Sequence, residues 1–85
     1  MDNRTLEEMR NKVRMADEIN NERAVNDSLM TALEGKRKLL LNQPSTTLSV
    51  DAVKISGKVA LTVIDVILEK LNERETELIE AFKEL

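Results

Sequence analysis

The chain has 85 residues, with 13 basic and 16 acidic side chains and no cysteine or histidine. This length allows one small domain, and the missing residue types exclude disulfides, imidazole or thiolate metal sites and the usual nucleophile–base pairs of enzymes. The net charge of −3 argues against duplex-DNA binding, which needs a basic excess. We therefore expect a non-enzymatic protein that holds no metal and no cofactor.

The apolar segments give no sign of export or membrane insertion. The longest uncharged apolar run, Val59 to Ile64, is far shorter than the roughly 20 residues that a bilayer span requires. The N-terminal residues have no apolar signal core behind them. The sequence therefore predicts a cytoplasmic protein with no membrane partner and no duplex nucleic-acid partner.

The N-terminal half predicts two helices with a kink between them. Thr5 and Glu8 form a capping box, so a short first helix is expected over residues 5–19. Asn20 and Asn21 are poor helix formers that readily cap a new helix, and they predict a kink before a second helix over 21–41. The apolar stripe of the first helix contains Leu6, Met9, Val13 and Ala16.

The C-terminal half predicts one long helix that folds back. Residues 42–49 hold the only proline and a cluster of four small hydroxyl residues, which indicates a loop. Ser49 is the expected N-cap of a third helix over 50–84, with Asp51 in its first turn. The seam of that helix has heptad spacing and contains Leu61, Ile64, Leu68, Leu71, Leu78, Phe82 and Leu85. The predicted fold is all-α, an antiparallel helical hairpin preceded by a short helix.

Residues 53–67 are more apolar than a single seam requires. A second apolar face of the predicted third helix contains Val53, Ile55, Val59, Ala60, Val63, Val66 and Ile67. One partner helix cannot cover both faces, and a helix apolar over so much of its circumference is normally buried in an assembly. We therefore expect a homo-oligomer with these residues at its centre.

Lys58 is the first candidate ligand residue. It follows Gly57, whose position inside a predicted helix suggests that something approaches the backbone closely. One interpretation is close helix–helix contact at an oligomer axis. The other is a ligand phosphate held by Lys58, with the hydroxyls of Ser56 and Thr62 as donors.

Two further groups of basic residues allow the same two interpretations. Arg10 and Arg14 share a helix face, where an anion between them would relieve their repulsion, or they belong to a surface of mixed charge. The run from Lys36 to Lys38 either binds an anion or complements the dipole at the end of the second helix. The acidic residues near the C-terminus predict a solvated face, and none is placed for catalysis; they are Glu73, Glu75, Glu77, Glu80 and Glu84.

The residues around the loop resemble a family of small phage anti-CBASS sponges, relatives of the anti-Thoeris sponges, which sequester cyclic oligonucleotide signals. The likeness runs from Leu39-Leu40-Leu41-Asn42-Gln43-Pro44 into LSVDAVKISGKVALTVIDVI and covers about half the chain. Ser49, Asp51 and Lys58 match the family's serine, acidic residue and helix lysine. Val50 and Gly57 stand where the family has arginine and threonine, and the chain has no tyrosine.

The resemblance implies a compact homo-oligomer, a hexamer above all, that binds cyclic di- or trinucleotides between subunits without cleaving them. Such a sponge would block CBASS signalling in the cytoplasm of a phage-infected cell. Lys58 is the ligand residue that it carries over. The alternative function is a small helical oligomeric module that binds a host protein.

Overall fold

A computed structural model describes residues 3–85, which form two long helices joined by a pair of short strands. Helix α1 spans Asn3–Asn42, and helix α2 spans Gly57–Lys83. Between them lie strands β1, Thr47–Val50, and β2, Val53–Ser56. The helices run antiparallel, so the mostly helical hairpin that the sequence predicts is confirmed, and the strand pair at its closed end is new.

Helix α1 has no break at Asn20 and Asn21, so the predicted kink and the separate short first helix are wrong. An asparagine inside a helix costs at most about 0.7 kcal/mol relative to alanine, far less than proline. The neighbouring turn is held to α2, because Glu22 and Arg23 bond to Arg74 and Glu75. Contacts with the second helix thus outweigh the weak local preference for a helix end.

The core lies between the helices near the strand pair. Leu33 and Leu40 of α1 are buried against Ala60 and Ile64 of α2, and the latter two are completely inaccessible to solvent. Leu78 is buried farther along α2. The predicted seam is confirmed for the residues that pack around this core or are buried themselves, Leu61, Ile64, Leu68, Leu71 and Leu78. Phe82 stays 43% exposed because it lies near the open end of the hairpin.

A β-hairpin occupies positions where the sequence predicted the end of a loop and the start of a helix. Leu48 pairs with Ile55, and Val50 pairs with Val53, on either side of a two-residue turn. The turn residues Asp51 and Ala52 have φ values of 47° and 67°, as a type I′ turn requires. Apolar and polar residues alternate on both sides of the turn, and this period of two suits strands.

The start of α2 is therefore Gly57, not residue 50. Ser49 lies in β1 opposite Lys54, and Asp51 lies in the turn. Ser49 is therefore not the N-cap of α2, and Asp51 is not in its first turn. The residue before the helix is Ser56, in extended conformation.

Helix α1 is longer than its partner. Its 40 residues extend about 60 Å, against about 40 Å for the 27 residues of α2. Since Arg23 lies opposite Glu75, the end of α2 at Lys83 reaches the level of about residue 15 of α1. The first turns of α1 therefore project beyond α2, and the structure is 63 Å long and 15 Å thick.

Candidate binding surfaces

The first candidate surface is the side of α2 that faces away from α1. We call Val59, Thr62, Val63 and Val66 the outer face of α2. Val59 is 62% exposed and Val66 is 49% exposed, although the neighbouring Ala60 and Ile64 are fully buried. Val59, Val63 and Val66 belong to the second apolar face that the sequence predicted, and no described residue of the chain covers this outer face. The rest of that prediction is wrong, because Val53 and Ile55 lie in strand β2, Ala60 is buried in the core and Ile67 packs against the core.

Lys58 lies beside this outer face. Together with Val59, Thr62 and Val63 it lines a shallow apolar depression on α2. Within residues 3–85 Lys58 forms no ion pair. The Thr62 hydroxyl donates to the carbonyl oxygen of Lys58 at 2.9 Å, so its hydrogen is already used, and its oxygen can still accept a hydrogen bond.

Gly57 has a different role from the one expected. It is the first residue of α2 with a φ of 63°, a conformation that glycine adopts without strain. A Cβ built at Gly57 would meet no described heavy atom within 4 Å. Gly57 therefore does not lie inside a helix as predicted, and its positive φ by itself requires glycine at this position.

Ser56 precedes the first turn of α2 and is exposed. Its side chain caps none of the amides at the start of that helix. Ser56, Gly57 and Lys58 are thus consecutive at the start of α2, and Thr62 follows one turn later. Of the three positions that match the sponge family, however, only Lys58 is on a helix, since Ser49 is in a strand and Asp51 is in the turn.

Arg10 and Arg14 lie at the opposite end of the molecule. Because Arg37 pairs with Asp65, Lys58 lies near the closed end, whereas Arg10 is 27 residues from Arg37, or about 40 Å along the helix. Arg10 and Arg14 therefore cannot share a site with Lys58 within one chain. Arg14 lies 3.8 Å from Glu18, the geometry of a mixed-charge helix surface.

The two arginines flank a second apolar surface. Leu6, Met9 and Val13 form what we call the N-terminal stripe, which lines an open groove with Arg10 and Arg14. The side chains of the stripe are 39%, 52% and 61% exposed, respectively. The stripe therefore does not pack on the chain's own hairpin.

Ion pairs between the helices were missed by the sequence analysis. Arg74 donates two hydrogen bonds to the carboxylate of Glu22, at 2.6 and 2.9 Å, and a third to Glu77 at 3.0 Å. Arg23 donates to Glu75 at 2.8 Å. Two members of the acidic group near the C-terminus thus hold arginines, and Glu75 does so from a seam position. A charged residue at an otherwise apolar seam position was the sequence signal that an ion pair forms there.

These contacts shift the ionisation of the residues involved. The hydrogen bond from Arg74, with its positive charge, holds the pKa of Glu22 below its ordinary value of 4.5. The bonds to Glu22 and Glu77 raise the pKa of Arg74 further above its usual range. In the basic run at residues 36–38, Arg37 donates to Asp65 at 2.8 Å, so one of the three cations is paired across the hairpin.

The described residues contain neither a cluster of metal-ligating side chains nor a membrane-spanning helix. Within residues 3–85, no three acidic side chains are grouped as a metal site would require. Neither helix of this part combines the length and the apolar content that a membrane crossing needs.

Comparison with known proteins finds no matching family model, no matching curated protein and no matching solved structure.

Proposed function

We propose that this protein acts by binding, as a homo-oligomer that serves as a helical interaction module. The main support for a homo-oligomer is the outer face of α2, where Val59 and Val66 are more than 45% exposed directly beside the core. Burying such a surface against a second copy removes apolar area from water, at about 25 cal/mol per Å². The outer face of α2 and the N-terminal stripe are both shallow, and shallow apolar surfaces suit contact with another macromolecule.

Charge favours an antiparallel contact between two copies of α2. If the contact is centred near Val63, residue 58 of one subunit lies level with residue 68 of the other. Lys58 then comes beside Glu69 of the second subunit, at the edge of the valine contact. Opposite charges at such an edge favour this orientation over the parallel one, which would bring like charges together.

The test of this assembly uses two matched valines. Val59 and Val25 are 62% and 66% exposed, and both lie within helices. Val59→Glu should dissociate the oligomer because it buries a charge in the contact, whereas Val25→Glu should leave the assembly intact. Light scattering measures the mass of both variants. A wild-type chain that stays at 9.7 kDa at every concentration would contradict the proposal.

In this proposal the oligomer presents the N-terminal stripe to a partner protein. Leu6, Met9 and Val13 have the spacing with which one amphipathic helix binds another. Because the stripe projects past α2, a partner helix can reach it without disturbing the hairpin core. A pull-down with wild type and with a Met9→Glu variant, both at the same oligomer mass, would separate partner binding from assembly.

A second candidate function, the cyclic-oligonucleotide sponge, is favoured by the depression beside Lys58. An exposed lysine above apolar residues can bind a ligand phosphate while a base packs on Val59 and Val63. Copies of Lys58 from several subunits would converge on one ligand. Arg10 and Arg14 would contribute only from a neighbouring subunit, since they lie at the far end of their own chain.

Isothermal titration with cyclic di- and trinucleotides distinguishes the two functions. For a sponge, wild type should give saturable heat, Lys58→Ala should give none, and Lys58→Arg should retain part of the affinity. Thermal unfolding provides a second readout, because a ligand at 100 times its dissociation constant adds about 2.7 kcal/mol of stability. No heat and no thermal shift in wild type would leave the interaction module as the function.

A further inference from the structure

Strand β1 lies at an uncovered edge of a two-stranded sheet. Among residues 3–85 the sheet consists of β1 and β2 alone, so each strand has one edge without a partner strand in this part of the chain. Proteins usually protect such edges with charge or proline, because an open edge pairs with other strands. Residues 47–50 of β1, Thr-Leu-Ser-Val, contain neither, whereas β2 carries Lys54. The unprotected edge is thus the β1 edge.

One face of this sheet is apolar and only half of it is covered. Leu48 and Ile55 pack against the helical core. Val50 and Val53, the next pair toward the turn, lie on the same face and are 53% and 61% exposed. The sheet therefore extends its apolar face beyond the part that its own helices bury.

The turn of this hairpin is strained. Ala52 has a φ of 67°, and a non-glycine residue in this region costs about 1–2 kcal/mol. An isolated two-stranded sheet is itself marginally stable in water. A strained conformation persists where surrounding contacts determine it, and additional strand pairing would supply such contacts.

We propose that β1 pairs antiparallel with β1 of a second copy, so that the two hairpins form one four-stranded sheet. This pairing covers the unprotected β1 edge of each subunit and makes one continuous apolar face from the two half-covered faces. This inference rests on the homo-oligomer of the proposed function and specifies a second contact within it. The strand order is β2–β1–β1–β2, with a two-fold axis between the central strands. With Ser49 of one subunit opposite Ser49 of the other, Val50 lies opposite Leu48 of the second subunit, on the same apolar face.

Charge is compatible with this arrangement. Lys54 lies on β2, so the two lysines occupy the outer strands, three strand spacings or about 14 Å apart. That distance exceeds the Debye length of about 8 Å at physiological ionic strength, so their repulsion is largely screened.

Two different two-fold contacts, one through β1 and one through α2, generate closed assemblies with an even number of subunits, which include the hexamer.

The test adds one charge to each edge in turn. Ser49→Glu lies opposite Lys54, so it favours the hairpin within the chain, yet it brings two carboxylates together at the β1 contact. Ser56→Glu adds the same charge to β2 and serves as the control. We expect light scattering to show a smaller assembly for Ser49→Glu and the wild-type assembly for Ser56→Glu, with circular dichroism unchanged in both.

Cysteine cross-linking gives an independent measurement, because the chain has no cysteine of its own. Mild oxidation of Ser49→Cys should give covalent dimers at least tenfold faster than oxidation of Ser56→Cys, since opposed residues in paired strands approach disulfide distance. A wild-type assembly mass in Ser49→Glu, or equal cross-linking rates for β1 and β2 cysteines, would overturn the β1 contact and leave the oligomer standing. A monomeric wild type would overturn the oligomer itself.

Discussion

Replacing both exposed valines of the outer face with alanine separates a lone hairpin from an assembly. Each substitution removes two methyl groups, worth about 1.6 kcal/mol when fully buried. In the single chain Val59 and Val66 are 62% and 49% exposed, so the pair loses roughly 1.4 kcal/mol of burial. Alanine returns up to about 0.7 kcal/mol per position through its higher helix propensity. The double variant of a monomer should therefore keep nearly its full stability.

In an assembly that buries the outer face, the same variant loses more. The area exposed in the single chain is then also buried, which adds about 1.8 kcal/mol per subunit to the loss. For a chain of 85 residues, 1 kcal/mol shifts the melting temperature by about 4–8 °C. We expect the melting temperature of wild type to rise with protein concentration, and that of the double variant to be lower and to depend less on concentration.

Thermal unfolding followed by circular dichroism over a wide concentration range measures both effects. Ile64→Ala is the control, because Ile64 is fully buried within the chain. It should cost about 2–5 kcal/mol whether or not the protein assembles. Equal melting temperatures for wild type and the double variant, independent of concentration, would refute the role of the outer face.

Three further predictions concern the backbone and the ion pairs. Gly57→Ala should lower the free energy of unfolding by about 1–2 kcal/mol, because Gly57 has a positive φ. Gly35→Ala should raise it by up to about 1 kcal/mol, because Gly35 lies inside α1 and alanine has the higher helix propensity. Urea unfolding measures both changes. Ala52→Gly should raise the free energy of unfolding by about 1 kcal/mol in the same assay, because it relieves the strained turn. The lowered pKa of Glu22 means that its stabilising contribution is complete above its unfolded-state pKa near 4.5 and is lost as the pH falls through the lower folded-state pKa. Unfolding measured across that range should depend less on pH in Glu22→Gln.

Heptad spacing predicted the α2 seam because the residues involved pack against a helix of the same chain. Leu61, Ile64, Leu68 and Leu71 all lie against the core or within it. The ion pairs between helices could not be predicted in the same way. Whether Glu22 meets Arg74 depends on the register of two segments that are 52 residues apart, and many acidic and basic residues offer alternatives. Only Glu75, at a seam position, marked the place where a charge was needed.

The β-hairpin was missed because its signals are weak individually. Residues 47–50 and 53–56 are too short to show a clear period, and Val53 to Val66 also fit an apolar helix. A two-residue turn is normally recognised by Asn-Gly or Asp-Gly, but here Ala52 occupies the glycine position. The informative residue was Gly57, which marks the start of α2 more clearly than Ser49 does. The same error misplaced two of the three residues that resemble the sponge family.

The apolar residues of α1 do not stay on one side of the helix. At 100° per residue, Val13 of the N-terminal stripe points about 160° away from Leu33 in the core. A coiled-coil seam drifts only about 20° per heptad, or roughly 60° over these 20 residues. Supercoiling around α2 therefore does not account for the change. Since Val13 and Met9 are more than half exposed and lie past the level of Lys83, the last residue of α2, we propose that this part of α1 contacts another chain. In the proposed assembly through α2 and β1 at one end, each subunit would thus keep a separate apolar surface, about 40 Å away, for a partner.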